Sequence, residues 1–145
     1  MSDMQKFMLD TSITSRLIRG QAAVVRQFLL VTRSGKSSVA ISALTEAELL
    51  YGILVNPKSS GLRASMEEFL KRVDVLAWDS AAAKSYAMLR SNSVRHHTTL
   101  HHQDIMIAAQ ALSRDCMLVT SEQGFAALGE GLRVVDWTAA AVSGH

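Results

Sequence analysis

In 145 residues the chain has one cysteine, Cys116, so no intrachain disulfide framework can hold it together. It has one proline, Pro57, and no Gly/Ser-rich linker, which leaves no evident internal domain boundary. No apolar run approaches the ~18 residues a bilayer-spanning helix needs. The opening Met-Ser-Asp-Met-Gln-Lys lacks the basic-then-apolar layout of a signal peptide. Charge is also sparse, at 19% of residues, and nearly balanced: 15 Lys and Arg against 13 Asp and Glu give +2. There is no glycine-rich phosphate loop and no G-x-S-x-G elbow, and Ser42 has no evident base. These absences argue against a disulfide-stapled secreted domain, a membrane protein, a P-loop enzyme and a serine hydrolase. What remains is an apolar fraction of 48%, the composition of a compact globule, in a chain long enough for a real core. The expectation is one cytoplasmic domain spanning residues 1–145.

Hydrophobic patterning alternates two kinds of segment. Phe7-Met8-Leu9, Val39-Ala40-Ile41, Val73 to Trp78, Met117-Leu118-Val119 and Leu132 to Val135 are short apolar runs that read as strands. Between them lie helical patterns: Thr11 or Ser12 to Ile18, residues 21–32, a helix capped by Thr45 and carrying Glu46 to Leu54, and Leu62 to Arg72. A further helix opens at Asp79 or Ser80, another runs from Gln103 to about Arg114, and a short one covers residues 123–128. Asn56 to Gly61 is the clearest loop. Strands alternating with helices predict an α/β fold, a parallel sheet with helices on both faces.

Four acids stand where these elements meet loops. Asp10 follows the first strand, Glu48 lies in Ala-Ile-Ser-Ala-Leu-Thr-Glu-Ala-Glu-Leu, Asp104 opens an apolar helix, and Glu122 follows the fourth strand. In a parallel sheet, strand C-termini and helix N-termini converge on one edge, where open α/β sheets place their sites. Two carboxylates about 4 Å apart repel by roughly 4 kcal/mol at an effective dielectric near 20. Four gathered acids would therefore need a hard divalent cation, Mg²⁺ or Mn²⁺, whose natural substrate partner is a phosphate. Gathering them would also leave the rest of the surface more basic than +2 suggests, which suits a polyanion.

Each acid also has a plain structural reading. Asp10 suits a helix N-cap, and Asp104 suits a first helical turn, although it shares a face with Ile107, Ala108 and Ala111 at the margin of the core. Glu48 lies beside Leu44, Tyr51 and Gly52, and periodicity does not choose between it and Glu46. Glu122 could be an exposed first-turn acid. His97 and His101, spaced i, i+4, lack a third ligand at metal-site spacing. With His96 and His102 they read as a solvated connection suited to touching nucleic acid, and His145 ends the chain. Cys116 begins an apolar strand and reads as a buried small hydrophobe.

Met-Leu-Asp-Thr-Ser (8–12), Val-Ala-Ile-Ser-Ala-Leu-Thr-Glu-Ala-Glu-Leu-Leu-Tyr-Gly (39–52), Asp-Ser-Ala-Ala-Ala-Lys-Ser-Tyr-Ala-Met-Leu-Arg (79–90), Gln-Asp-Ile-Met-Ile-Ala-Ala (103–109) and Leu-Val-Thr-Ser-Glu-Gln-Gly-Phe (118–125) occur in that order, followed by Leu-Arg-Val-Val-Asp-Trp. This series resembles the PIN-domain toxins of the VapC type over nearly the whole chain. The resemblance implies a PIN-like three-layer fold with a five-stranded parallel sheet of order 3-2-1-4-5. It implies a Mg²⁺- or Mn²⁺-dependent endoribonuclease that usually dimerises and is held inactive by a small VapB-like antitoxin. The implied catalytic and metal-holding acids are Asp10, Glu48 (in place of Glu46), Asp104 and Glu122, with Thr11 and Thr120 as neighbouring hydroxyls. Two departures stand out. Glu122 replaces a shorter residue and Gly124 occupies a second acidic position. The segment before Asp104 carries Thr98 to Gln103 where the family usually has a glycine, a change expected to bear on substrate choice.

On this reading the metal lowers the pKa of a bound water that attacks an RNA phosphodiester, possible substrates including tRNA. Two other readings compete. A receiver-like phospho-acceptor domain would want paired acids at the first strand and a lysine after the last, and neither is present. A non-catalytic RNA-binding PIN module would not need the acids this chain retains.

Overall fold

The computed structural model describes residues 4–129 and 131–138; Met1 to Asp3 at the start of the chain and His145 lie outside the described residues. Strands β1 (Gln5–Leu9), β2 (Ser37–Ser42), β3 (Asp74–Leu76), β4 (Met117–Val119) and β5 (Val134–Val135) form one parallel sheet of order β3-β2-β1-β4-β5. Helices α1 (Thr11–Ile18), α2 (Ala22–Arg33), α3 (Ala43–Val55), α4 (Ser60–Leu70), α5 (Ser80–Arg95) and α6 (His102–Ser113) connect them, with a 3-10 turn at Phe125–Leu128. Among the described residues no helix is long and apolar enough to cross a membrane.

The strands carry unbroken apolar runs because both faces are covered. Side chains alternate between those faces. Met8 and Leu118 pack with Leu89 of α5 and with Ile105, Ala108 and Ala111 of α6. Leu9, Ile41 and Val119 point the other way, onto Ile13, Val24, Phe28 and Phe69 of α1, α2 and α4. Cys116 is buried on the first side, as expected of a small hydrophobe. With β1 central, its C-terminal end lies between those of β2 and β4. Residues that follow β1 and β4 are thereby brought side by side.

Several boundaries differ by a residue or two from the sequence expectation, α4 (Ser60–Leu70) and β5 (Val134–Val135) among them, and three differences bear on the site or have a visible cause. The third helix starts earlier, at Ala43, because Ser42 ends β2 and its hydroxyl accepts the Leu44 N–H at 3.0 Å. Thr45 is therefore a buried helical residue and not a cap. The third strand is shorter, since the Gln110 carboxamide takes the Leu76 and Ala77 carbonyls at 3.0 and 2.9 Å. Trp78 is likewise held by its indole N–H on the Met106 carbonyl at 2.9 Å. The segment expected as a short helix at 123–128 is a single 3-10 turn, entered through Gly124 at φ 97°.

Candidate active site

Asp10 is the best-held acid. Its N–H donates to the Val119 carbonyl at 3.0 Å, tying the end of β1 to β4. Its backbone is extended, and its Oδ1 accepts the Ile13 N–H at 2.8 Å, so it is the N-cap of α1. The Thr14 hydroxyl donates back to the Asp10 carbonyl at 2.8 Å. Only 3% of the residue is exposed. Capping and site formation are thus compatible, because one oxygen serves the helix and leaves the second for other work.

Beyond β4, the Thr120 hydroxyl accepts the Glu122 N–H at 3.0 Å and lies near enough to the Asp10 carboxyl to favour its charged form. One buried hydroxyl thus joins the first acid to the loop bearing the last. Asp104 enters from α6, in the third position after the N-cap residue His101, whose backbone N–H lies near enough to its carboxylate to favour the charged form. Burial raises the Asp10 carboxyl pKa above its ordinary value, and the charges of Asp104 and Glu122 push the same way against the Thr120 and Ile13 hydrogen bonds. Asp104 is also raised, first by burial and then by Glu122, with partial relief from His101. Asp10, Asp104 and Glu122 therefore lie within one another's fields at the C-terminal edge of β1 and β4.

Glu48 is placed differently. It is exposed and lines a cavity of about 130 Å³ with Ser15, Ile18, Arg19, Leu49, Gly52, Ile53, Leu62 and Met66. The link between that cavity and the acidic pocket runs along α3. The Thr45 hydroxyl meets the Thr11 hydroxyl at 3.0 Å, next to Asp10, and Glu48 follows Thr45 by three residues on the same helix face. Glu46, half-buried, lies off that face. Thr45 was missed as a bracing residue because it was read as a cap; its i, i+3 spacing to Glu48 was the signal available. His101 was likewise read as part of a solvated connection, although it stands three residues before Asp104.

Among the described residues no three His, Cys, Asp or Glu side chains approach closely enough to enclose a cation by themselves. The donor set still fits Mg²⁺, which keeps several waters and is held by one or two carboxylates plus substrate phosphate. Asp10 and Asp104 would be that pair, both raised first by burial and then by neighbouring acids.

Residues 7–131 match the sequence model of the PIN domain. The chain is 37% identical over 136 residues to a tRNA(fMet)-specific endonuclease VapC of Shigella flexneri, covering 93% of this chain and 100% of that one. A Salmonella typhimurium protein of the same name is 33% identical, with 92% and 99% covered. Among solved structures, DNA-bound VapBC from Salmonella typhimurium superposes with a TM-score of 0.74 at 32% identity, covering 92% of this chain and 99% of that one. VapBC2 from Rickettsia felis, bound to a fragment of promoter DNA, has the same fold, with a TM-score of 0.82 at 23% identity and coverage of 92% and 99%.

Proposed function

This chain belongs to the PIN-domain family, in its VapC-type branch, and from that premise we propose that it is the endoribonuclease toxin of a type II toxin–antitoxin pair. The observation that carries the reading is the meeting of Asp10, Asp104 and Glu122 at one sheet edge, two of them with raised pKa values and only partly compensated. Asp10 and Asp104 would hold Mg²⁺ or Mn²⁺, with Glu122 and Glu48 completing the shell directly or through water. When bound, the ion supplies a water of lowered pKa and a positive charge for the phosphate oxygens.

The protein's part is positioning. The Ile13 N–H holds Asp10 in place, and the Thr120 hydroxyl and the His101 N–H favour the charged forms of Asp10 and Asp104 against the cost of burial. Thr120 sets the Glu122 loop relative to Asp10, so the acids keep their spacing when RNA arrives. The proposed substrate is RNA, tRNA included, in keeping with the names of the enteric relatives.

The proposed partner is a small antitoxin, and two features offer it a seat. A groove of about 450 Å³ between α1, α2 and α4 is lined by Leu17, Ile18, Val25, Phe28 and Phe69, with Glu68 and Arg72 at its rim. An apolar segment would fill that groove, and an Arg or Lys of the partner reaching the acidic pocket would neutralise Asp10 and Asp104. A second copy of the chain would cover the outer side of α3, where Leu50, Tyr51, Leu54 and Val55 are all exposed.

Expression of the chain without a partner should arrest growth, and Asp104→Asn should lift the arrest. Purified wild-type protein should cleave RNA, and EDTA should stop it. Normal growth with abundant wild-type protein, together with no cleavage by the purified chain at high Mn²⁺, would overturn the assignment.

A further inference from the structure

The strands sort charge along their length. Asp10, Asp79, Glu122 and Asp136 follow β1, β3, β4 and β5 within three residues, at the end that holds the acidic pocket. The beginnings are basic. Lys36, Arg72, Arg114 and Arg133 precede β2, β3, β4 and β5 within three residues, and Lys6 is the second residue of β1. Arg33, the last residue of α2, adds another cation just before β2. Every pairing in the sheet is parallel, so all these beginnings lie at one end.

Part of this charge is already neutralised. Lys71 and Arg72 share Glu68 at 3.7 and 3.3 Å, and Arg133 holds Asp115 at 3.3 Å. Among the described residues, Lys6, Arg33, Lys36 and Arg114 make no ion pair, and all four are exposed. The surface between them is concave. Lys6 and Arg114 line a cavity of about 120 Å³ with Ser38, and a second of about 290 Å³ beside it shares Ser38 and adds Ser37. Asp74 is the carboxylate in both.

The distance between the two ends decides how they act on a polyanion. The five residues of β1 rise about 17 Å, roughly twice the Debye length of about 8 Å at physiological ionic strength. Carboxylates in the pocket therefore repel RNA locally and barely weaken the field at the far end. Four strand spacings of about 4.8 Å make the row of beginnings about 19 Å wide. A duplex presents on the order of ten phosphates over that length, so several can be met at once.

We propose that the basic end of the sheet, through Lys6, Arg33, Lys36 and Arg114, binds the backbone of an RNA stem without regard to sequence, and supplies affinity that the acidic end cannot. The choice of RNA rests on the nuclease reading above. The test is fluorescence anisotropy of a labelled blunt-ended RNA stem, in EDTA to prevent cleavage, over a series of NaCl concentrations. The full chain is compared with Lys6→Gln/Lys36→Gln/Arg114→Gln and with the charge-keeping Lys6→Arg/Lys36→Arg/Arg114→Lys. Wild-type log K should fall with log [NaCl] at a slope of about −3.6, four contacts at about 0.9 each. The Gln variant should flatten the slope to about −0.9 and lose at least about tenfold in affinity at low salt. The charge-keeping variant should match the wild type. With Mn²⁺, the Gln variant should cleave a short unpaired RNA at wild-type kcat and KM, and show a raised KM only for RNA carrying a stem. A wild-type slope shallower than about −1, an unchanged slope in the Gln variant, or a charge-keeping variant as weak as Gln would each overturn the proposal. Tighter binding of a DNA duplex of the same sequence would overturn the choice of RNA. If the wild type cleaves no RNA, the nuclease reading fails, and the slopes still decide whether this end holds a duplex backbone.

Discussion

Asp10 has two functions that different substitutions pull apart. Its Oδ1 caps α1 through the 2.8 Å bond to Ile13, and its charge belongs to the acidic pocket. Asp10→Ala removes both, whereas Asp10→Asn keeps an oxygen on the Ile13 N–H and removes only the charge. The Thr120 hydroxyl can turn to accept from the new amide. Losing an N-cap costs about 1 kcal/mol, which in a domain of this size lowers Tm by about 3 °C. The Ala variant should therefore melt about 3 °C below the Asn variant, and neither should cleave RNA. At neutral pH and without metal, the Asn variant should melt at or above the wild type, because a buried charge facing Asp104 and Glu122 is gone. The sign of the pH dependence follows from the raised pKa. Between 3.8, the ordinary value, and its higher value in the fold, the native state binds more protons than the unfolded state. Wild-type stability therefore falls as pH rises through that window, and the cost is fully present above the folded value. The advantage of Asn should shrink as pH falls and disappear below about pH 3.8. Scanning calorimetry of the three proteins from pH 3.5 to 7.5, in EDTA, gives all these numbers. An Asn variant as unstable as the Ala variant, or one that cleaves RNA at the wild-type rate, would refute the reasoning.

Two other outcomes are expected. Glu48→Gln should reduce RNA cleavage at least about tenfold, while Glu46→Gln should change stability by under about 0.5 kcal/mol and leave cleavage intact. Equal losses of activity from both would undo the assignment of Glu48. Mn²⁺ at about a hundred times its Kd should stabilise the protein by about 2.7 kcal/mol in thermal melts, and Asp10→Asn should abolish most of that gain. A melting temperature indifferent to Mn²⁺ and Mg²⁺ would remove the cation from the mechanism.

Much of this architecture was legible because strand and helix signals alternate so regularly. The apolar runs around Leu9, Ile41 and Val119 announced buried strands, and Asp79 or Ser80 announced the start of α5, where the Asp79 side chain accepts the Ala82 N–H. The order of the strands was not legible from periodicity; it came with the family resemblance. Helix starts were harder to place, since Ser42 and Thr45 are both good capping residues and only the end of β2 decides between them. The placement of Asp10, Asp104 and Glu122 at strand and helix ends made their meeting readable. Thr120 as a neighbour of Asp10 required the fold, because it acts between elements distant in the chain, whereas His101 beside Asp104 needed only the start of α6 to be placed. Glu48 was placed by resemblance, and its surroundings beside Ser15 and Arg19 were not foreseeable from local pattern.

The strand order also sets a schedule. The central strand, β1, is the first to leave the ribosome, but its neighbour β4 comes more than a hundred residues later. Asp10 cannot donate its N–H to the Val119 carbonyl, approach the Thr120 hydroxyl or face Glu122 until that late strand has docked. A growing chain thus holds Asp10 from the start, gains Glu48 and Asp104 on the way, and lacks Glu122 until β4 has been made. The pocket that Asp10 shares with Glu122 is therefore completed only after the last fifth of the chain has begun to be made.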